Sequence, residues 1–188
     1  MKKVIVYLAL SFIFLNACNN APKSKTKNAD KSDRSTGARD AGTSTSAINS
    51  ILSGYIQLSH ALAQDNDKYA AEAGKTIVAA IMGLKKSSFT SEQTELYNDI
   101  EASSKEHAEH ITKNIGNINH QREHFEMLSQ DVYELVKAFG GGQTLYVAHC
   151  PKYNNNKGAD WLTTSKEIKN PYMGVAMIKC GTIKEELK

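Results

Sequence analysis

Four stretches in which apolar residues recur every three or four positions, each closed by a residue that ends helices, constrain this chain more than any other feature. Ile48, Ile51, Leu52, Tyr55, Leu58 and Leu62 form the first stripe, which stops at Asp65 or Asn66. Tyr69, Ala73, Ile77, Ala80, Ile81 and Leu84 form the second. Thr90 opens the third with Gln93 three residues on, the capping-box pattern in which hydroxyl and amide satisfy each other's backbone N–H groups. That stretch carries Leu96, Tyr97, Ile100, Ser104, His107 and Ile111. Gly116 interrupts it, and Asn117 is placed to cap a fourth helix bearing His124, Phe125, Leu128, Val132, Leu135, Val136 and Phe139. Gly140-Gly141-Gly142 then stops the helical pattern. The spacing predicts helices over about 47–63, 66–85, 91–114 and 118–139. Helices with one apolar face bury it against one another, and connections this short make neighbours antiparallel. The expected fold is therefore mainly α, an antiparallel up-and-down four-helix bundle with a small C-terminal β or irregular cap over 143–188.

The cap is read from a change of grammar after the glycines. Gln143 to Ala148 is β-like, Tyr153 to Lys157 is an Asn-rich polar loop, and Asn170-Pro171 is a turn signal. Val175 to Ile183 reads as a second strand, with Trp161 as the hydrophobic anchor of the cap on the bundle. The folded domain is thus expected over 47–188.

The first 46 residues follow different rules. Lys2 and Lys3 precede an apolar run from Val4 to Leu15, too short for a hydrocarbon core that needs about 20 residues but suited to a signal peptide. The run ends in Leu15-Asn16-Ala17-Cys18, which resembles a lipobox. That resemblance implies cleavage after residue 17 and lipid, palmitate among it, on Cys18. Residues 1–17 are then signal peptide and 18–46 a lipidated tether. The segment 19–46 has no aromatic residue and no Leu, Ile, Val or Met, a composition that offers no core and predicts disorder. The expected location is the cell envelope, anchored to the inner or outer membrane with the domain outside the cytoplasm.

Charge excludes one class of partner. The chain carries +3, but the tether holds +3 of its own and the signal lysines +2, which leaves −2 for the remainder. Nucleic-acid binding has no electrostatic basis in the domain. Nucleophile elbows, phosphate loops and His-Glu-x-x-His patterns are missing from the sequence, so the chain reads as a non-enzyme.

Histidines supply the positive signal. His107 with His110 and His120 with His124 are spaced to share a helix face. On an antiparallel hairpin turning near Gly116, level residues have a nearly constant sum of numbers; His107 then faces His124, and His110 faces His120. Imidazole is the commonest side-chain ligand for zinc, copper and nickel, and bundles build such sites from facing helices. Each histidine alone has the plainer reading of a packed or solvated residue.

Several segments together resemble the DUF3347 family. They are Asn119-His120-Gln121-Arg122-Glu123-His124-Phe125 with Leu128-Ser129, then His149-Cys150-Pro151, Gly158-Ala159-Asp160-Trp161-Leu162, Glu167 to Gly174, and Met177 with Cys180-Gly181. The resemblance runs over residues 47–187. It implies a domain found in envelope lipoproteins and in parts of heavy-metal efflux pumps, and so a metal-handling role linked to copper. Where that family commonly has Cys-Pro-Met, this chain has Cys150-Pro151-Lys152, which removes a soft thioether ligand.

The tail is long enough to meet the histidines. Residues 124–139 make about 22 Å of helix and 143–150 about 23 Å of strand, so a reversal at the glycines brings His149 and Cys150 toward the level of His124. With Met177 and Cys180 from the returning strand, the set would suit Cu(I), with Zn(II) second. The competing readings stay open. Cys150 and Cys180 can equally form a disulfide in an oxidising compartment. Met127, Met173 and Met177 can be core filler, and Arg122 and Glu123 can sit on a solvated face. The two functional expectations are a metal buffer, chaperone or efflux accessory, and a non-metal interaction module of the envelope held together by a Cys150–Cys180 disulfide.

Overall fold

The computed structural model describes residues 37–188, and side chains from 47 onward. The signal segment, Cys18 and the tether up to residue 36 lie outside the described residues. Four helices follow one another: α1 Gly37–Ala63, α2 Asp67–Gly83, α3 Ser91–Lys113 and α4 Ile118–Phe139. Helix α1 begins ten residues before its expected start at 47. Extending an existing helix adds one hydrogen bond per residue fixed, a far smaller cost than nucleating one.

The termini use the side chains that the sequence nominates. Thr90 accepts from the Gln93 N–H while the Gln93 side chain accepts from the Thr90 N–H. Asn117 accepts from the His120 N–H, and Gly140 closes α4 at φ 79°, where a side chain would be strained. Each helix packs on the next in sequence and α1 returns to α4, which closes the bundle. The first and fourth stripes are buried, apart from the half-buried His124. The second is buried at Ala73, Ile77 and Ile81 as expected, but Tyr69 is 70% exposed, and Ala70, Ala71 and Gly74 complete the buried face of α2 in its place. A small-residue face lets α2 sit close: a Cβ at Gly74 would lie 2.9 Å from the Ala108 carbonyl oxygen of α3. Among the described residues no helix is long and apolar enough to cross a membrane.

The cap is a three-stranded antiparallel sheet in the order β2-β1-β3, made of β1 Leu145–Cys150, β2 Ala159–Thr163 and β3 Thr182–Leu187. The expected strand at 175–183 is displaced. Residues 174–177 form a 3₁₀ turn with Val175 66% exposed, and the third strand starts at Thr182. The cause is Asn170, fully buried, whose side chain accepts from the N–H groups of Tyr172 and Met173 and donates to the Cys180 carbonyl. This side chain substitutes for ladder hydrogen bonds and holds the segment as a turn. Asn154, Asn155 and Asn156 all take positive φ, as Asn tolerates, and so form the polar loop between β1 and β2.

Sheet and bundle are joined by buried polar contacts around aromatic rings. Ser129 donates to the Phe125 carbonyl, so the Tyr55 hydroxyl at 2.8 Å donates to Ser129 and accepts from the Leu162 N–H at 3.1 Å. Trp161, 2% exposed, stands edge-on to Tyr172, whose hydroxyl donates to the Asp160 carbonyl. Trp161 is thus the anchor expected of it.

Candidate metal centre

The hairpin of α3 and α4 places the four histidines on one seam. His107 meets His124 with ring centroids 5.3 Å apart, and His110 meets His120 at 5.7 Å, the two pairings that level residues on the hairpin require. His110 also stacks on His124 at 4.2 Å, and His120 stands edge-on to His124 at 4.6 Å. His124 is therefore the hub. Ligand nitrogens of His110, His120 and His124 all lie within 4.8 Å of one another, close enough for one ion to take all three.

Neighbours orient two of these rings. The Nδ1 atom of His120 lies 3.0 Å from Glu123 Oε2, leaving Nε2 as its free ligand atom. The Nδ1 atoms of His107 and His124 lie 3.1 Å apart, and in the tautomer where His124 donates to His107 the His124 Nε2 lone pair is left for an ion. His107 thereby supports the three-histidine set from behind. Below it, Asp131 accepts hydrogen bonds from Ser103 and Ser104 on α3.

Electrostatics keep the hub in its ligating form. Desolvation first, then His110, His120 and His107, push the His124 pKa down to about 4, against a smaller pull from Glu123. Desolvation also lowers His107, partly offset by Asp131 and Glu106. A neutral imidazole has a lone pair for a cation, and a protonated one does not.

The tail residues form a different corner. Among the described residues the set of three or more metal-capable groups is His110, His120 and His124; His149, Cys150 and Cys180 do not join it. The mixed imidazole, thiolate and thioether cluster is not what the fold assembles. Alternation along β1 explains why. His149 turns to one face and contacts Asp160 at 2.5 Å, while Cys150 turns to the buried face and meets Cys180, sulfur to sulfur at 3.5 Å. Met177 lines a shallow groove with Lys152, Val175 and Cys180.

Arg122 does not sit on the solvated face that its charge suggests; it is buried, at 7% exposure. Lying between His120 and His124 in the chain, it donates to the Pro171 and Leu62 carbonyls and pairs with Asp65. Gly174 fits against this pair at φ +57°, where any Cβ would collide with Asp65 and Arg122. A signal for this burial exists in the sequence: Arg122 stands three residues before the core residue Phe125, a spacing that places it on the same helix face.

Fold and site together define a small, mainly helical domain, capped by a sheet, with a three-imidazole candidate metal centre on one interhelical seam. Residues 51–144 match the family described as protein of unknown function, DUF3347, and the chain belongs to that family. The matched span covers the bundle from α1 to the glycine turn, while the tail segments from His149 to Gly181 lie beyond it. Comparison with curated proteins gives no match, and neither does comparison with solved structures.

Proposed function

We propose that this domain binds one transition-metal ion through His110, His120 and His124. The observation that carries the reading is the convergence of three imidazole nitrogens within 4.8 Å around a neutral hub. With thiolate and thioether outside the set, the ligands are borderline rather than soft, so Cu(II) takes the place that Cu(I) held, with Zn(II) next. The biological role that follows is a copper buffer, chaperone or accessory to a heavy-metal efflux system. It would act outside the cytoplasm from a membrane anchor on Cys18, as the lipobox-like sequence and the family resemblance imply.

The test is competition titration of the full chain, free of any histidine tag, with Cu(II) and separately with Zn(II) against a chelator of known affinity. One equivalent of tight binding is expected, and it is lost in His110→Ala, His120→Ala and His124→Ala. Binding that survives all three substitutions, or none tighter than about 1 mM in the parent chain, removes the proposal.

A further inference from the structure

Cys150 ends the central strand β1 fully buried, and Cys180 lies thirty residues on, half-exposed in the loop before β3. Their sulfurs face each other at 3.5 Å. The approach is built rather than incidental. Gly181, at φ +145°, brings the loop against β1 so closely that a Cβ there would lie 2.8 Å from the His149 carbonyl oxygen and 3.0 Å from Trp161. Next to it, the Cys180 carbonyl accepts from the buried Asn170 side chain, and the Cys180 N–H donates to the Met177 carbonyl at 2.9 Å. Backbone on both sides of the thiol is thus tied down, and one thiol of the pair is open to solvent.

Two chemistries can use such a pair, and the surroundings separate them. A structural thiolate metal site normally closes its ion with four donors. Among the described residues no third His, Cys, Asp or Glu completes a set with these two sulfurs. A disulfide needs no third group. It needs a short approach and an accessible sulfur, and the corner supplies both.

We propose that Cys150 and Cys180 close as an intramolecular disulfide when the folded domain meets a disulfide donor, such as oxidised glutathione or a thiol–disulfide oxidoreductase. The thiolate of Cys180 attacks one donor sulfur, and the other leaves as a thiolate. The Cys150 thiolate then attacks the mixed disulfide, expelling the second donor thiolate. The protein loses two S–H bonds and gains one S–S bond; the donor takes the two electrons and both protons and ends as two thiols. Burial, reinforced by the contact with Cys150, pushes the Cys180 thiol up, so little thiolate is present at neutral pH and uncatalysed closure is slow.

The bond would turn the tail into a closed ring holding β2 with Trp161, the Asn170 turn and Tyr172, the parts of the cap that grip the bundle. This inference does not rest on metal binding by the histidines.

The experiment incubates the full chain, folded, with oxidised glutathione, alkylates free thiols under denaturing conditions and maps the peptides by mass spectrometry. A peptide pair linked through Cys150 and Cys180 is expected. Reductant should then lower Tm by about 10 °C, from the loop-closure effect of a thirty-residue ring. Cys180→Ser should hold the lower Tm with or without oxidant. Both thiols alkylated after equilibration, separate glutathione adducts without a link, or a link to another copy would each overturn the proposal. So would protection from alkylation that a chelator removes without reductant, which would mark a metal site instead.

Discussion

The histidine seam and the cysteine corner both gather residues with metal chemistry, yet the fold makes them by opposite means. The seam comes from one local hairpin, in which spacings of three and four on α3 and α4 bring four rings together. The corner joins a strand end to a loop thirty residues away and depends on the Asn170 turn and on Gly181. The seam is half-exposed, so its rings contribute chemistry more than stability. The corner encloses Cys150 fully and leaves Cys180 half-exposed, so one sulfur is fixed in the cap's central strand while the other can still meet a reagent.

The substitution that tests this contrast most severely is Arg122→Ala, since Arg122 stands on α4 between two seam histidines in the chain and bonds the cap at Pro171. Removing it leaves the Pro171 carbonyl without its donor, takes one of two donors from the Leu62 carbonyl and leaves the Asp65 carboxylate without its cation. A loss of about 3 kcal/mol, near 10 °C in Tm, is expected by thermal denaturation. A shift below a degree would separate cap from bundle energetically. Next in size, His124→Ala should weaken metal binding about 100-fold with little change in Tm, read by competition titration and calorimetry. A large fall in Tm would make the seam structural.

The third prediction concerns pH. Folding lowers the His124 pKa from 6.5 to about 4, so the unfolded chain takes up a proton that the folded chain refuses. The contribution is present above pH 6.5 and is lost as pH falls toward about 4. Denaturant titrations should show the parent losing more stability across that window than His124→Gln; parallel curves would contradict the desolvated hub. The smallest effect is reserved for His107→Ala. It removes the ring behind His124 and should weaken metal binding about 10-fold, with stoichiometry unchanged.

Much of the bundle is legible in the amino-acid sequence, because helix boundaries rest on local chemistry. Thr90 with Gln93, Asn117 and Gly140 all act within four residues of themselves. The pairing of the histidines is legible for the same reason, given a hairpin. Tyr69 misleads because an aromatic next to a run of alanines looks like the core residue, whereas close helix packing favours the alanines. The cap is less legible. β3 reads Thr-Ile-Lys-Glu-Glu-Leu, too charged to announce a strand, while Val175 to Ile178 is apolar enough to imitate one. What decides between them is a buried Asn170 side chain, a long-range arrangement that no periodicity encodes. The separation of His149 and Cys150 from the seam is hidden likewise, since chain length shows how far a strand can reach but not which way its residues face.

Arg122 has one more consequence, for portability. All four histidines of the seam lie within residues 107–124, a hairpin short enough to graft onto another protein. The guanidinium between His120 and His124 takes its partners from the last turn of α1 at Leu62, from the following turn at Asp65 and from the cap at Pro171. A transplanted hairpin would keep its ligands and lose the anchorage of its second helix. The candidate metal centre is in this sense a property of the whole domain, although a short segment spells out every atom that would touch an ion.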